Sequence, residues 1–280
     1  MLQCAPEPIA NITPILIFPQ SKREEIGLET AMPNSTDKPG AALAEQLIKQ
    51  SEAEASVTPM DALLDAARAG RFTDDRCFRL LARLWTLKRT MYYVYGGWAQ
   101  GINLNDYPPA VAYLFGKQTH DESTQEMQLC DEMLRRGWAP TQKKLFEHPY
   151  AQFGTATRTG SYIFCLRALA NYPQNIRIAA HNLGPKVIEL AWTEKFAKLF
   201  PDESMHALFH SQLAETRSHV LMGRFQVERF VTKQVDAELA TRLCAETRRD
   251  YLFFLEESAR FVLGLAEEKA GEVTVQADID

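Results

Sequence analysis

The 280-residue chain has few cysteines and nowhere pairs them: Cys4, Cys77, Cys130, Cys165 and Cys244 lie far apart with no CxxC spacing. That scatter argues against a disulfide frame or a zinc site and fits buried thiols in a reducing compartment. No run of apolar residues approaches the ~18 that a membrane helix needs. The one early apolar run, Ile-Leu-Ile-Phe at residues 15–18, is short, flanked by Pro14 and Pro19, and has no basic residues ahead of it. It lacks the plan of a signal peptide, so a cytoplasmic location is expected. There is no basic excess either. With a formal net charge of -5, the chain has no field to neutralise phosphates, and neither nucleic acid nor a membrane is an expected partner. Strand-like alternation of useful length is missing, as is any internal repeat.

What is present is a helical period. Hydrophobic residues make up 46% of the chain and charged residues 24%, ordinary for a protein that buries a core alone or as a homodimer. The period runs from about residue 75 to 268 and predicts an all-α single helical bundle with at least about 60% helix. Residues 1–57 read as an irregular arm, with a short helix over 41–51, residues 58–270 as the bundle, and 271–280 as an acidic tail. Residues 28–58 and 271–280 are expected to be exposed and poorly packed. Long helices are expected over 76–100, 108–136, 202–232 and 235–270. Shorter ones should cover 60–69, 159–171 and 184–199. Residues 137–158 are either a lid beside a site or a packed connector.

Ionisable groups forced onto apolar faces are the informative ones, because an unpartnered buried charge is costly. On the helix over 108–136, Val111, Leu114, Phe115, Leu129 and Met133 share a face with Glu122 at its middle and Glu126 beside it, while His120 points away. On the helix over 202–232, Gln212, Thr216 and Gly223 lie on the stripe of Met205, Phe209, Leu213 and Val227. His219 lies at its margin with Glu215 one turn before, and His206 and His210 face the charged side. In 184–199 either Glu189 or Glu194 faces inward. Glu122 is open to two readings, a functional carboxylate or a buried salt bridge to Arg or Lys, and His219 to a ligand or a hydrogen-bonded core residue.

Carboxylates and imidazoles delivered by different helices into an apolar interior are what a non-haem iron or di-iron centre needs. The candidate metal ligands are Glu122, Glu126, Glu189, Glu215 and His219, with Glu122 and Glu215 also the candidate catalytic carboxylates. Tyr92, Tyr95, Trp85 and Phe115 would line a substrate pocket or simply form an aromatic core.

His219 and Gly223, followed by Arg224-Phe225-Gln226-Val227-Glu228-Arg229 and by Tyr251-Leu252-Phe253-Phe254-Leu255, resemble the final helices of the haem-oxygenase-like bundles, which include thiaminase II relatives and iron-containing redox enzymes. In the iron-binding branch that helix carries His-x3-Asp-x2-His with a glycine four residues on. Here Gln212 replaces the first His and Thr216 the Asp. The family's earlier Glu-x6-His is matched by Glu122, but Leu129 stands at the His, and Glu189 fits the middle Glu. The resemblance implies a haem-oxygenase-like bundle, with a ferritin-like four-helix bundle as the alternative. It also implies an oxygen-activating, iron-dependent oxidoreductase acting on a small organic substrate. Two other readings stand beside it: a metal-free enzyme on the same scaffold with a buried Glu as general base, and a non-enzymatic helical partner protein.

Overall fold

The computed structural model describes residues 39–100, 107–151 and 157–265. Of these, 86% are helical and none is in a strand. Among the described residues ten α-helices follow one another: α1 (Pro39–Ala55), α2 (Pro59–Arg68), α3 (Asp74–Gln100), α4 (Pro109–Arg135), α5 (Gln142–Glu147), α6 (Thr157–Ala168), α7 (Gln174–Asn182), α8 (Pro185–Leu199), α9 (Glu203–Phe230) and α10 (Gln234–Leu263). Local chemistry sets the ends. Thr73 Oγ1 accepts from Arg76 N at the start of α3, and Asp202 accepts from Met205 N at the start of α9. Gly70 and Gly264 close α2 and α10 at φ of 68° and 77°, where a side chain would be strained.

Helix α9 is the spine, packed against α8, α7, α1 and α4. Helix α10 packs on α6, α7, α2 and α3, and α3 lies along α4. The ring pairs Phe196–Phe209 and Trp192–Phe209 tie α8 to α9 at 5.0 and 5.9 Å between centroids. Burial of side chains of this size, about 1.5–3 kcal/mol each, is the main force holding the layers together.

Two close approaches depend on glycine. A Cβ on Gly223 would stand 2.6 Å from Asn182 Cβ, so α7 can reach α9 only where α9 has no side chain. Gly40 plays the same part for α1, where a Cβ would fall 2.4 Å from Val227 O.

The first boundary has to be corrected. Residues 39–57 are not a loose arm: Leu43, Ala44, Leu47, Ser51 and Ala55 of α1 are buried against α8 and α9. Their spacing is that of a helix face, and the polar residues between them hide the pattern. The chain divides at Asp37 rather than near residue 57. The rest of the expected arm, residues 1–38, and the acidic tail at 271–280 lie outside the described residues. Helix α7 is an addition, because all nine of its residues are buried and its Gln, Asn, Arg and His leave no polar face to reveal a period. The connector after α4 is packed rather than a lid where it is described. Leu145 and Ala151 are buried, and the Phe146 ring lies tilted against Trp85 with 5.0 Å between centroids.

Candidate functional site: a buried charge network

At the centre of the bundle two lysines and two glutamates from three helices meet, all four buried. Lys88 of α3 donates to Glu122 Oε2 of α4 at 2.8 Å and to Glu189 Oε1 of α8 at 2.5 Å. Lys186, one turn before Glu189 on α8, pairs with Glu122 Oε1 and with Glu189 Oε2, the latter at 2.7 Å. Each carboxylate is thus bridged to both ammonium groups, and the quartet is neutral as a whole. Glu122 is 1% exposed and Lys186 2%. Isolated charges at such depth would be prohibitive, so each ion is there only because the other three are.

The pairing shifts the titration of Glu122, Glu189 and Lys88. Burial alone would raise the Glu122 carboxyl, but Lys186 and Lys88, with His219, hold it well below the ordinary carboxylate range. Glu189 is lowered for the same reason. Burial works against the charged form of Lys88, and Glu122 and Glu189 overcome it and raise the ammonium above its usual value.

Polar side chains of α4, α7 and α9 surround the quartet. His219 Nε2 lies 3.1 Å from Asp121 Oδ2, and Lys117 donates to the same oxygen at 2.5 Å. Burial lowers the His219 imidazole although Asp121 and Glu122 oppose it. The Asp121 carboxylate can only accept, so Nε2 is the donor to it, and Nδ1 lies 3.5 Å from Glu122 Oε1. On the other side Tyr95 OH meets His181 Nε2 at 2.8 Å and accepts from Gln118 Nε2 at 3.1 Å. Gln118 and Asn182 bind each other at 3.0 Å in both directions, and Asn182 Nδ2 donates to the His219 carbonyl at 2.8 Å. Burial, aided by Lys186, drives His181 down to about 3, so its ring is neutral.

Glu122 and His219 do meet across the interior, and Glu189 joins them through the lysines. Glu189 rather than Glu194 faces inward, for Glu194 pairs with Arg217 at 2.6 Å on the surface side. The other two expected metal ligands do not join. Glu215 is half-buried, accepts from Gln125 Nε2 at 3.0 Å, and is raised by burial. Glu126 is raised by burial and faces Arg89 instead. The expected set of Glu122, Glu126, Glu189, Glu215 and His219 is therefore not gathered round one point. Among the described residues no group of three or more His, Cys, Asp or Glu is placed to hold a metal ion.

The donor set as it stands does not fit the non-haem iron implied by the resemblance. Positions beside both inward carboxylates are filled by ammonium nitrogens, and the two positive charges already balance the two negative ones. Gln212 and Thr216, where the resemblance would have an imidazole and a carboxylate, are buried but neutral, and Thr216 Oγ1 is spent on the Gln212 carbonyl at 3.0 Å.

Lys88, Lys186, Asp121, Gln118, Asn182 and His181 were not singled out from the sequence. Lys88 follows Leu87 on the apolar side of α3, and Lys186 stands one turn before Glu189. A buried Glu at helical spacing from an inward Lys is the signal that could have found them.

A groove of about 510 Å³ lies between α3 and α4. Tyr92, Tyr95, Gly96, Ala99, Ala112, Phe115, Gly116 and Thr119 line it, none of them charged. Trp85, expected with them, lies in the core instead. Thr119 Oγ1 donates to the Phe115 carbonyl at 3.0 Å. No helix among the described residues is long and apolar enough to cross a membrane. Comparison of the chain with protein-family models, with curated proteins and with solved structures returns no match.

Proposed function

We propose that the chain is a metal-independent, haem-oxygenase-like bundle that binds a small, planar, uncharged organic molecule in the groove between α3 and α4. The groove carries this reading. Its volume is in the range of small-molecule sites, roughly 300–1,000 Å³, which are lined mostly by apolar and aromatic groups. Tyr92, Tyr95 and Phe115 offer ring edges and faces, and Gly96 and Gly116 let a flat molecule lie close to both helix backbones. An ionised ligand would find no counter-charge among the lining residues.

Neither Glu122 nor Glu215 lines the groove, so the reading is one of binding rather than acid–base catalysis at these carboxylates. The expected iron-dependent oxidation is set aside because the inward carboxylates are already paired. Support for the scaffold comes from Glu122, Glu189, His219 and Gly223 surrounding one interior.

A titration of the full chain with one- and two-ring neutral heterocycles, followed by thermal shift and by tyrosine and tryptophan fluorescence, tests the reading. A ligand at a hundred times its Kd should stabilise the fold by about 2.7 kcal/mol. Gly116→Leu, at an exposed position with open space around it, should fold normally and abolish the effect. Undiminished binding in that variant, or no saturable binder in such a set, would sink the proposal.

A further inference from the structure

Apart from the groove and the quartet, the contact between α3 and α10 holds a positive charge that the fold does not account for. We propose that Arg83, with the hydroxyl of Ser258, forms a buried receptor for one small monovalent carboxylate ion, formate or acetate in size, between these two helices. The reading of the groove plays no part in it.

Arg76, Arg79 and Arg83 recur at helical spacing along the side of α3 that meets α10. Arg76 Nη2 donates to the Leu263 carbonyl at 3.2 Å and Arg79 Nη1 to the Phe261 carbonyl at 3.3 Å. These two therefore serve the C-terminal end of α10, where carbonyls lack partners within the helix. Arg83 stands one turn further in, where the helix itself takes up the α10 carbonyls. It is 6% exposed, and among the described residues neither its Nε nor its Nη1 has a hydrogen-bond partner. The Phe261 ring centre lies 4.4 Å from the guanidinium carbon and attracts the charge, but a ring face does not replace the oxygens that a guanidinium's N–H groups call for. Burial pulls the group below its ordinary value, and the charge of Glu257 does not offset this. A buried cation in that state is costly until an opposite charge joins it.

Ser258 is the independent sign. It stands on α10 one turn before Phe261, is 2% exposed, and its Oγ likewise has no partner among the described residues. Thr247 on the same helix returns its hydroxyl to the Leu243 carbonyl four residues back, at 2.6 Å, as a buried helical hydroxyl commonly does, and Ser258 does not. Unspent donors from two helices thus flank Phe261. A carboxylate has lone pairs enough for the guanidinium and the hydroxyl together, and its single negative charge balances Arg83. A divalent anion would bring a surplus charge into the same apolar contact.

The experiment follows thermal unfolding of the full chain by circular dichroism while sodium formate replaces sodium chloride at constant ionic strength. The wild-type midpoint should rise with formate and saturate. Arg83→Met, which keeps an apolar stem against Phe261, should lose that response. Ser258→Ala should keep the fold and bind formate roughly fivefold more weakly, the worth of one hydrogen bond. A wild-type midpoint indifferent to the exchange would overturn the proposal, since it means either no site or one that takes chloride as readily. A response that persists undiminished in Arg83→Met would overturn it as well, for it would then be a general effect of the salt. If Arg83→Met does not fold, Ser258→Ala decides, and an unchanged affinity for formate in that variant overturns the receptor.

Discussion

Lys88 is the one member of the quartet contributed by α3, and it bridges α4 to α8. Lys88→Met should cost about 3–5 kcal/mol in urea unfolding, because it strands a carboxylate charge rather than merely deleting a contact. Lys88→Met combined with Glu189→Leu should cost clearly less than Lys88→Met alone. A double variant at least as unstable as the single one would show that the pairing is not what holds Glu189 in place. His181 gives a second test at this scale. Its folded value of about 3 lies below the ordinary 6.5, so the unfolded chain binds the extra proton. Its contribution is complete above about pH 6.5 and is lost as pH falls toward 3, at about 1.4 kcal/mol per pH unit for one proton. His219 is lowered as well and adds in the same direction. Below the ordinary carboxylate range Glu122 and Glu189 steepen the loss. Stability measured from pH 7 to 5 should therefore decline, and His181→Gln should flatten the decline; an unchanged slope in that variant would mean His181 is charged in the fold.

Among the helices, α7 and α9 depend on each other most sharply. Gly223→Ala puts a methyl group into Asn182 and Leu183, and should cost about 1–3 kcal/mol in chemical denaturation. Gly116→Ala, with nothing within 4 Å, should instead stabilise α4 by about 0.5–1 kcal/mol. Equal effects at the two positions would contradict the close approach. The long amphipathic helices were legible because their apolar residues recur at the helical period over many turns. Helix α7 was not, since a helix buried on every side carries no periodic contrast. For the interior, Glu122, Glu189 and His219 were legible as ionisable groups on apolar stripes. Their partners were not, because Lys88 and Lys186 sit among residues whose long stems pass for ordinary amphipathic surface.

For the molecule as a whole, the position of α1 makes the first described residues part of the fold rather than an appendage. A chain beginning at Thr58 would lose Leu43, Ala44 and Leu47 and uncover apolar surface on α8 and α9. Such a truncation should unfold at markedly lower urea concentration, with a smaller denaturant slope and binding of a hydrophobic dye. A truncated chain with the native midpoint would restore the boundary near residue 57.

The quartet also bears on how quickly this chain can reach its fold. Its members come from α3, α4 and α8, with Lys88 separated from Glu122 by 34 residues and from Glu189 by 101. A single pair such as Lys186 and Glu189 is neutral but leaves each partner with one position unfilled, so dehydrating it before the others arrive is uphill. The water must leave late and at once, after loops of both lengths have closed. The barrier on this side is one of desolvation as well as of chain search. On the return path the same four ions must separate before water can reach them, which slows unfolding at neutral pH.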